Sequence, residues 1–397
     1  MTILHYITNM IFAYPTLDSA DREVLEMIRQ LRKELRHQVN VNPLRWTGFL
    51  RRNTFARALQ GSNSIEGITA DLAEAVAIVD DEKPETLEDE TTQALTCYRT
   101  AMTYILRLHD DPHAEINAQF VRSLHFMMLN YDMEKMPGQW RPGPIRVVRA
   151  PRDETVYVGP DPMLVPQLMD ELVAEINSAD NTHSSTVLAA MAHLNLAMIH
   201  PFRDGNGRMA RALQTLVLSR NGVVSPIFCS IEEWLGQNTE AYYAILADVG
   251  KGSWHPEHDA LPWVRFCLVA HYQQGATLIK RNTQIGRVWD EIEKLRRAHS
   301  LPERVELALM DAAFNYKVRN GRYREQNDIS EVVASRDLKR LTELGLLEPV
   351  GEKRGRYYLA TKALREIRRK VTDANRVPNP YDVIKGRSGG NQLSLPV

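Results

Sequence analysis

Residues 184–220 read SSTVLAAMAHLNLAMIHPFRDGNGRMARALQTLVLSR. Over 184–199, Val187, Met191, Leu194 and Met198 recur at i, i+4, i+7 and i+11, the spacing of a helix face turned to a core. His200-Pro201 ends that helix, because a residue before proline is pushed out of helical geometry. A second apolar helix opens near Asn206-Gly207 and runs to about Arg220, where Asn221-Gly222 stops it. The pattern is helix, short loop, helix.

Outward from this pair the same periodicity dominates, and alternating strand patterns are rare. Residues 18–38 read as a helix with Asp18 or Ser19 as N-cap and Leu25, Ile28 and Leu31 on one face. Residues 87–109, 115–130, 162–178, 238–248, 259–280 and 284–298 read as further helices. Between Pro137 and Pro162 the chain is rich in Pro and Gly, and Ile145–Arg149 and Thr155–Val158 would pair as a short hairpin across Ala150–Glu154. From Pro302 the texture changes. A helix at 303–315, a short one near 328–333 and a basic one at 334–344 precede Leu346–Val350 and Tyr357–Ala360, which flank a GEKRG turn. That order resembles a winged helix-turn-helix domain. Residues 374–397 are polar and read as a flexible tail. The fold class is mainly α.

Composition narrows the function classes. Apolar residues make up 44% and charged residues 25%, so a folded core is expected, and a net charge of -1 gives no global pull toward nucleic acid or acidic lipid. Three scattered cysteines, Cys97, Cys229 and Cys267, make neither a disulfide framework nor a zinc site and read as small buried hydrophobes. The opening MTILHYITNMIFAY lacks a basic start and is a poor signal peptide. No apolar run reaches the roughly 20 residues of a membrane span, so no membrane partner is expected and a cytoplasmic location is the default.

The loop at 200–208 holds the residues with chemical potential. Gly205 and Gly207 let the backbone approach a ligand, and successive N–H groups there form an anion-binding concavity at a helix start. Arg208 and Arg211, three apart in the first turn, project toward the same anion, and a guanidinium fork suits phosphate oxygens. Asp204 is a lone carboxylate beside this basic cluster, where Mg²⁺ would bridge protein and phosphates. His200, four residues earlier, could accept a proton from an attacking hydroxyl. Phe202 reads as the inward anchor of the loop.

His200 to Arg211 matches HxFx[D/E]GNGRxxR at every specified position, and on that basis the chain resembles the Fic (filamentation induced by cAMP) family. The resemblance implies a helical core with a short β-hairpin flap, and transfer of AMP from ATP to a Ser, Thr or Tyr hydroxyl of a protein, the enzyme itself included. It makes His200 the general base and Asp204 the Mg²⁺ ligand. Gly205, Asn206 and Gly207 would hold the α- and β-phosphates, Arg208 the β-phosphate and Arg211 the γ-phosphate. Thr155, Val156 and Tyr157 of the flap would lie nearest ATP, and Tyr242-Tyr243 near the adenine and ribose. The implied organisation is an N-terminal helical region at 1–114, the Fic domain at 115–270, a helical linker at 271–300 and a winged-helix-like domain at 301–373. A homodimer is a family-level expectation.

Ser62-Asn63-Ser64-Ile65-Glu66-Gly67 resembles the family's inhibitory motif [S/T]xxxE[G/N], which would set Glu66 against Arg211. The same residues admit another reading, because Asn63-x-x-Glu66 also resembles a helix-opening capping box. Three rival functions stand beside AMP transfer. UMP or GMP could replace AMP. Arg336, Lys339 and Arg340, with Lys353, Arg354 and Arg356, could bind duplex DNA through 334–356, although Glu331, Asp337 and Glu343 dilute that patch. A scaffold without catalysis is the third, and it has no missing motif residue in its favour.

Overall fold

The computed structural model describes residues 10–41, 44–108, 111, 113, 115–149, 154–178, 183–220, 226–352, 355–372 and 376–388. Among these, contacts divide the chain into one unit built from residues 10–37, 54–276 and 378–388, and another from 38–53 and 277–377. The turn expected at 150–153, the Asn221-Gly222 stop, and Lys353 and Arg354 lie outside the described residues.

The first unit is helical. In chain order its elements are α1 (Ser19–Val41), α2 (Leu44–Ile65), α3 (Leu72–Val79), α4 (Asp89–Leu108), α5 (Ala118–Leu129), β1 (Arg146–Arg149), β2 (Glu154–Val158), α6 (Val165–Asn177), α7 (Ser185–Ile199), α8 (Asn206–Arg220), α9 (Glu232–Gln237), α10 (Thr239–Gly250) and α11 (Leu261–Ala298). Helices α1, α2 and α11 also contribute residues to the second unit. The central pair is α7 and α8, buried along nearly their whole lengths. Ser184 caps α7 by accepting from Val187 N–H at 3.3 Å. The core around α7 gathers Val187, Met191, Leu194 and Met198 with Trp263 and Leu235, all essentially removed from water.

Three features of this unit depart from the sequence reading. The resemblance implies an inhibitory helix before Glu66, but periodicity does not mark the bounds of α2: Gly48, Gly61 and a run of Asn and Ser weaken its helical signal. Gly61 is there for contact, since a Cβ on it would collide with the Glu232 carbonyl of α9. Two helices were expected over 259–298, yet α11 is one unbroken helix of 38 residues, so 271–300 is not a separate linker. The expected tail forms α16 over Pro380–Ser388, whose Tyr381 hydroxyl donates to Asp21 Oδ1 at 2.8 Å.

The second unit continues with α12 (Val305–Ala313), β3 (Val318–Arg319), α13 (Asn320–Asn327), α14 (Glu331–Glu343), β4 (Leu347–Val350), β5 (Tyr357–Ala360) and α15 (Lys362–Val371), in chain order before α16. Its sheet is antiparallel with order β3-β5-β4. The short helix expected near 328–333 lies earlier, as α13, and Ser330 caps α14. Asp337 does not dilute a surface patch: it is buried and accepts from Arg304 Nε at 2.6 Å and the Tyr323 hydroxyl at 3.0 Å. Lys339 and Arg340 both lean toward Glu343 at 3.9 Å. No described helix is long and apolar enough to cross a membrane. Cys229 and Cys267 are buried as expected, whereas Cys97 is only half-buried and meets Asn130 Oδ1 at 3.1 Å.

Candidate active site

The loop between α7 and α8 is held by its own backbone and side-chain hydrogen bonds. His200 closes α7 in the left-handed region, φ 52°, with its N–H on Leu196 O at 3.0 Å. A non-glycine residue held there is uncommon and marks a backbone fixed by its surroundings. Gly205 turns the chain again at φ 76° into the first turn of α8. Across the loop, Asn206 Oδ1 accepts from Phe202 N–H and its Nδ2 donates to Phe202 O, both at 2.9 Å. The Asn206 side chain therefore shapes the loop.

Two further residues hold this loop, and neither is marked by any local pattern. The His125 ring lies flat on Phe202, with centroids 3.7 Å apart and planes 4° from parallel. Its Nδ1 accepts from Gly138 N–H at 2.8 Å, which fixes the tautomer so that Nε2–H donates to Asp204 O at 2.9 Å. Burial pushes this imidazole down to about 4, so it is neutral at ordinary pH. Arg141 donates to His200 O at 2.8 Å, Gly143 O at 2.8 Å and Pro160 O at 2.6 Å, tying the loop to the ends of the hairpin. The contacts to Asp204 and His200 join residues 79 and 59 positions apart.

The reactive groups follow from that frame. His200 Nδ1 lies 3.2 Å from Ala197 O, so it carries the proton and leaves Nε2 as the lone pair. Burial, partly offset by that carbonyl, holds the imidazole below its usual pKa. Asp204 is partly exposed; despite burial, Arg208, the Gly205 N–H at 2.6 Å and Lys135 at 3.3 Å keep its carboxyl below the usual range. Arg208 is 2% exposed, and its Nε and Nη1 make no hydrogen bond. Buried N–H groups left without an acceptor are uncommon in folded proteins.

Arg211, by contrast, is engaged. Its Nε donates to Ser62 Oγ at 2.8 Å, and one terminal nitrogen donates to Ser62 O at 2.9 Å and Glu66 Oε1 at 2.8 Å. Against burial, the Glu66 carboxylate raises its pKa further. Ser62 Oγ donates onward to Tyr98. The Glu66 carboxylate also fills the space at Gly207, where an added Cβ would collide with Oε1. The capping-box reading of Asn63 and Glu66 fails. These residues end α2: Asn63 Nδ2 bonds back to Leu59 O, and Glu66 N–H and Ile68 N–H both close on Asn63 O. The capping box in this region is Asp71 with Glu74, opening α3.

β1 and β2 pair antiparallel with a bulge between Val147 and Val148, which leaves Val156 without an opposing residue. Thr155 is exposed and Val156 half-buried, but Tyr157 points into the core and donates to Met198 O at 2.9 Å. Tyr157 belongs to the buried core. So does Tyr242, which is 1% exposed, lies 3.0 Å from His193 Nε2 and sits beneath the Arg211 guanidinium. Tyr243 remains exposed and donates to Ile65 O at 2.9 Å, next to Glu66.

Residues 115–218 match the Fic/DOC family model. That segment is similar to a Fic domain. Protein adenylyltransferase fic-1 of Caenorhabditis briggsae is 27% identical over 260 residues, covering 64% of this chain and 46% of that protein. Protein adenylyltransferase Fic of Drosophila melanogaster is 37% identical over 123 residues, 29% of this chain and 22% of its own length. The chain thus spans about half the length, or less, of these curated relatives. A solved Fic family protein from Desulfovibrio desulfuricans G20 shares the fold, with a TM-score of 0.56 at 22% identity over 88% of this chain and 99% of that one. Caenorhabditis elegans Fic-1 gives a TM-score of 0.53 at 24% identity, covering 65% and 72% respectively.

Proposed function

We propose that this Fic-like domain transfers AMP from ATP to a Ser, Thr or Tyr hydroxyl of a protein, itself included, and that Glu66 holds it back. The observation that carries the proposal is the buried guanidinium of Arg208 in the first turn of α8, whose Nε and Nη1 make no hydrogen bond, one loop away from the free Nε2 of His200. The relatives named as adenylyltransferases favour ATP over UTP or GTP.

The residues present fit a nucleotide with its metal. Asp204 offers a partly exposed carboxylate beside Lys135 and would hold Mg²⁺, which supplies charge neutralisation to the polyphosphate. Arg208 and the N–H groups at the start of α8 bind and orient the phosphates. The acceptor hydroxyl loses its proton to His200 Nε2 as its oxygen forms a bond to the α-phosphorus. The bond from that phosphorus to the bridging oxygen breaks, and pyrophosphate leaves. Glu66 opposes this by occupying Arg211, the γ-phosphate ligand, and by placing negative charge where the phosphate would lie. Thr155 and Val156, on the exposed side of the hairpin, align the acceptor segment.

ATP labelled at the α-phosphate tests the reading in wild type, Glu66→Gly and Glu66→Gly with His200→Ala. Strong self-labelling is expected only in Glu66→Gly. No labelling in a folded Glu66→Gly protein that binds ATP would overturn the transferase, and equal labelling in wild type would overturn the brake.

A further inference from the structure

Away from the phosphate loop, His255-Pro256-Glu257-His258 joins α10 to α11 and places three metal-ligating side chains together. We propose that His255, Glu257 and His258 form a binding site for a divalent ion of the zinc class. One ligand atom from each lies within 4.8 Å of the other two.

The backbone explains why they converge. His258 N–H bonds to His255 O at 3.1 Å, a tight turn with Pro256 at its second position, where the fixed φ of proline favours turning. Residues at the two ends of such a turn present their side chains on the same side, and the two imidazoles are 5.2 Å apart. Glu257 stands between them and accepts from His255 Nδ1 at 2.9 Å.

The donor set selects the ion. Two imidazoles and one carboxylate are ligands for zinc, nickel or copper, whereas magnesium and calcium prefer oxygen alone. His258 is already oriented: its Nδ1–H donates to Val249 O at 3.1 Å, which leaves Nε2 as the free lone pair. A carbonyl on the distal nitrogen is the usual support of a metal-binding histidine. Neighbouring ligand atoms around tetrahedral zinc are about 3.3 Å apart, given bonds of about 2.0 Å. The side chains therefore close inward by an ångström or so, which exposed His255 and Glu257 can do by rotamer change. Asp259 is not a fourth ligand, because it caps α11 by accepting from Leu261 N–H at 2.9 Å. Water completes the coordination.

The loop that bears the site is also the third edge of the hairpin. Val158 N–H donates to Gly252 O at 3.0 Å, and Trp254 N–H returns to Val158 O at 3.1 Å. An ion that locks 255–258 braces the strand carrying Thr155 and Val156.

Calorimetric titration of the full chain, free of any affinity tag, with Zn²⁺ tests the proposal against His255→Gln, His258→Gln and the double variant. One equivalent bound with micromolar affinity is expected, unchanged by excess Mg²⁺. Each single variant should weaken it about tenfold or more, and the double variant should lose that equivalent. Absence of saturable binding in the wild type, displacement by Mg²⁺, or undiminished binding in the double variant would each overturn it. Melting curves with and without Zn²⁺ add a second measure: only proteins retaining both histidines should gain stability. Equal gains in the double variant would also refute the site.

Discussion

Glu66 Oε1 accepts from Arg211 at 2.8 Å while the same guanidinium grips both the hydroxyl and the carbonyl of Ser62. The end of α2 is thus fastened to the second turn of α8 by one buried cation. Two of its partners on α2 are neutral, and only Glu66 adds charge.

That division separates charge from shape. Glu66→Gln keeps the acceptor oxygen and the volume but removes the negative charge. Its self-labelling with ATP is expected to fall between wild type and Glu66→Gly in initial rate. A Gln variant as silent as wild type would show that occupancy of Arg211, rather than repulsion of phosphate, provides the restraint.

Arg208 is the clearest place to test nucleotide binding apart from folding. Hydrogen bonds from a charged donor contribute about 1.5–3 kcal/mol, so Arg208→Met should weaken ATP binding by about 10- to 100-fold. Its melting temperature should change little, because the attraction to Asp204 is lost together with two buried N–H groups that make no hydrogen bond. A large loss of stability with normal ATP affinity would mean that the guanidinium serves the core.

Glu232 lies 1% exposed beneath this network, without a well-formed hydrogen bond to either carboxylate oxygen. Burial raises it to about 7, against the pull of Arg211 and the neighbouring hydroxyls of Tyr98 and Thr215. The unfolded chain releases this proton near the ordinary carboxylate pKa of about 4.3, while the folded protein keeps it until about 7. Between those values the unfolded state binds fewer protons, so this group's contribution to stability falls as pH rises. Glu232→Gln removes that loss. The melting temperature of the variant relative to wild type should climb from pH 5 to pH 8, and a constant difference would contradict the assignment.

Two glycines of α2 should respond in opposite directions to alanine. Gly61→Ala drives a Cβ into the α9 backbone and should cost about 1–3 kcal/mol, seen in urea denaturation. Gly48 is exposed with open space at its Cβ position, so Gly48→Ala should stabilise by about 0.5–1 kcal/mol. Equal effects would remove the argument that Gly61 exists for helix contact.

The α7–loop–α8 unit and the chemistry of 200–211 were legible because local periodicity, a proline stop and a glycine turn all act over a few residues. The bounds of helix α2 were not, since tertiary contact at Gly61 outweighs its weak local propensity. His125 and Arg141 were hidden for another reason. They act on Asp204 and His200 from 79 and 59 positions away, and one sequence carries no trace of such pairings. The burial of Tyr157 is equally invisible locally, because the bulge after Val147 alters which side chains of β2 turn inward. Asn63 and Glu66 matched a helix-opening pattern but sit at a helix end, where only the three-dimensional path distinguishes the two.

The reciprocal amide bridge between Asn206 and Phe202 also bears on how the protein ages. An Asn-Gly step is the dipeptide most prone to lose ammonia, by attack of the glycine nitrogen on the side-chain carbonyl. Here that carbonyl is held by Phe202 and the backbone of Gly207 is wound into α8, so the cyclic imide cannot form while the loop is intact. Chemical decay at the heart of the site is therefore set by how often the chain opens, and conditions that favour unfolding will inactivate it irreversibly.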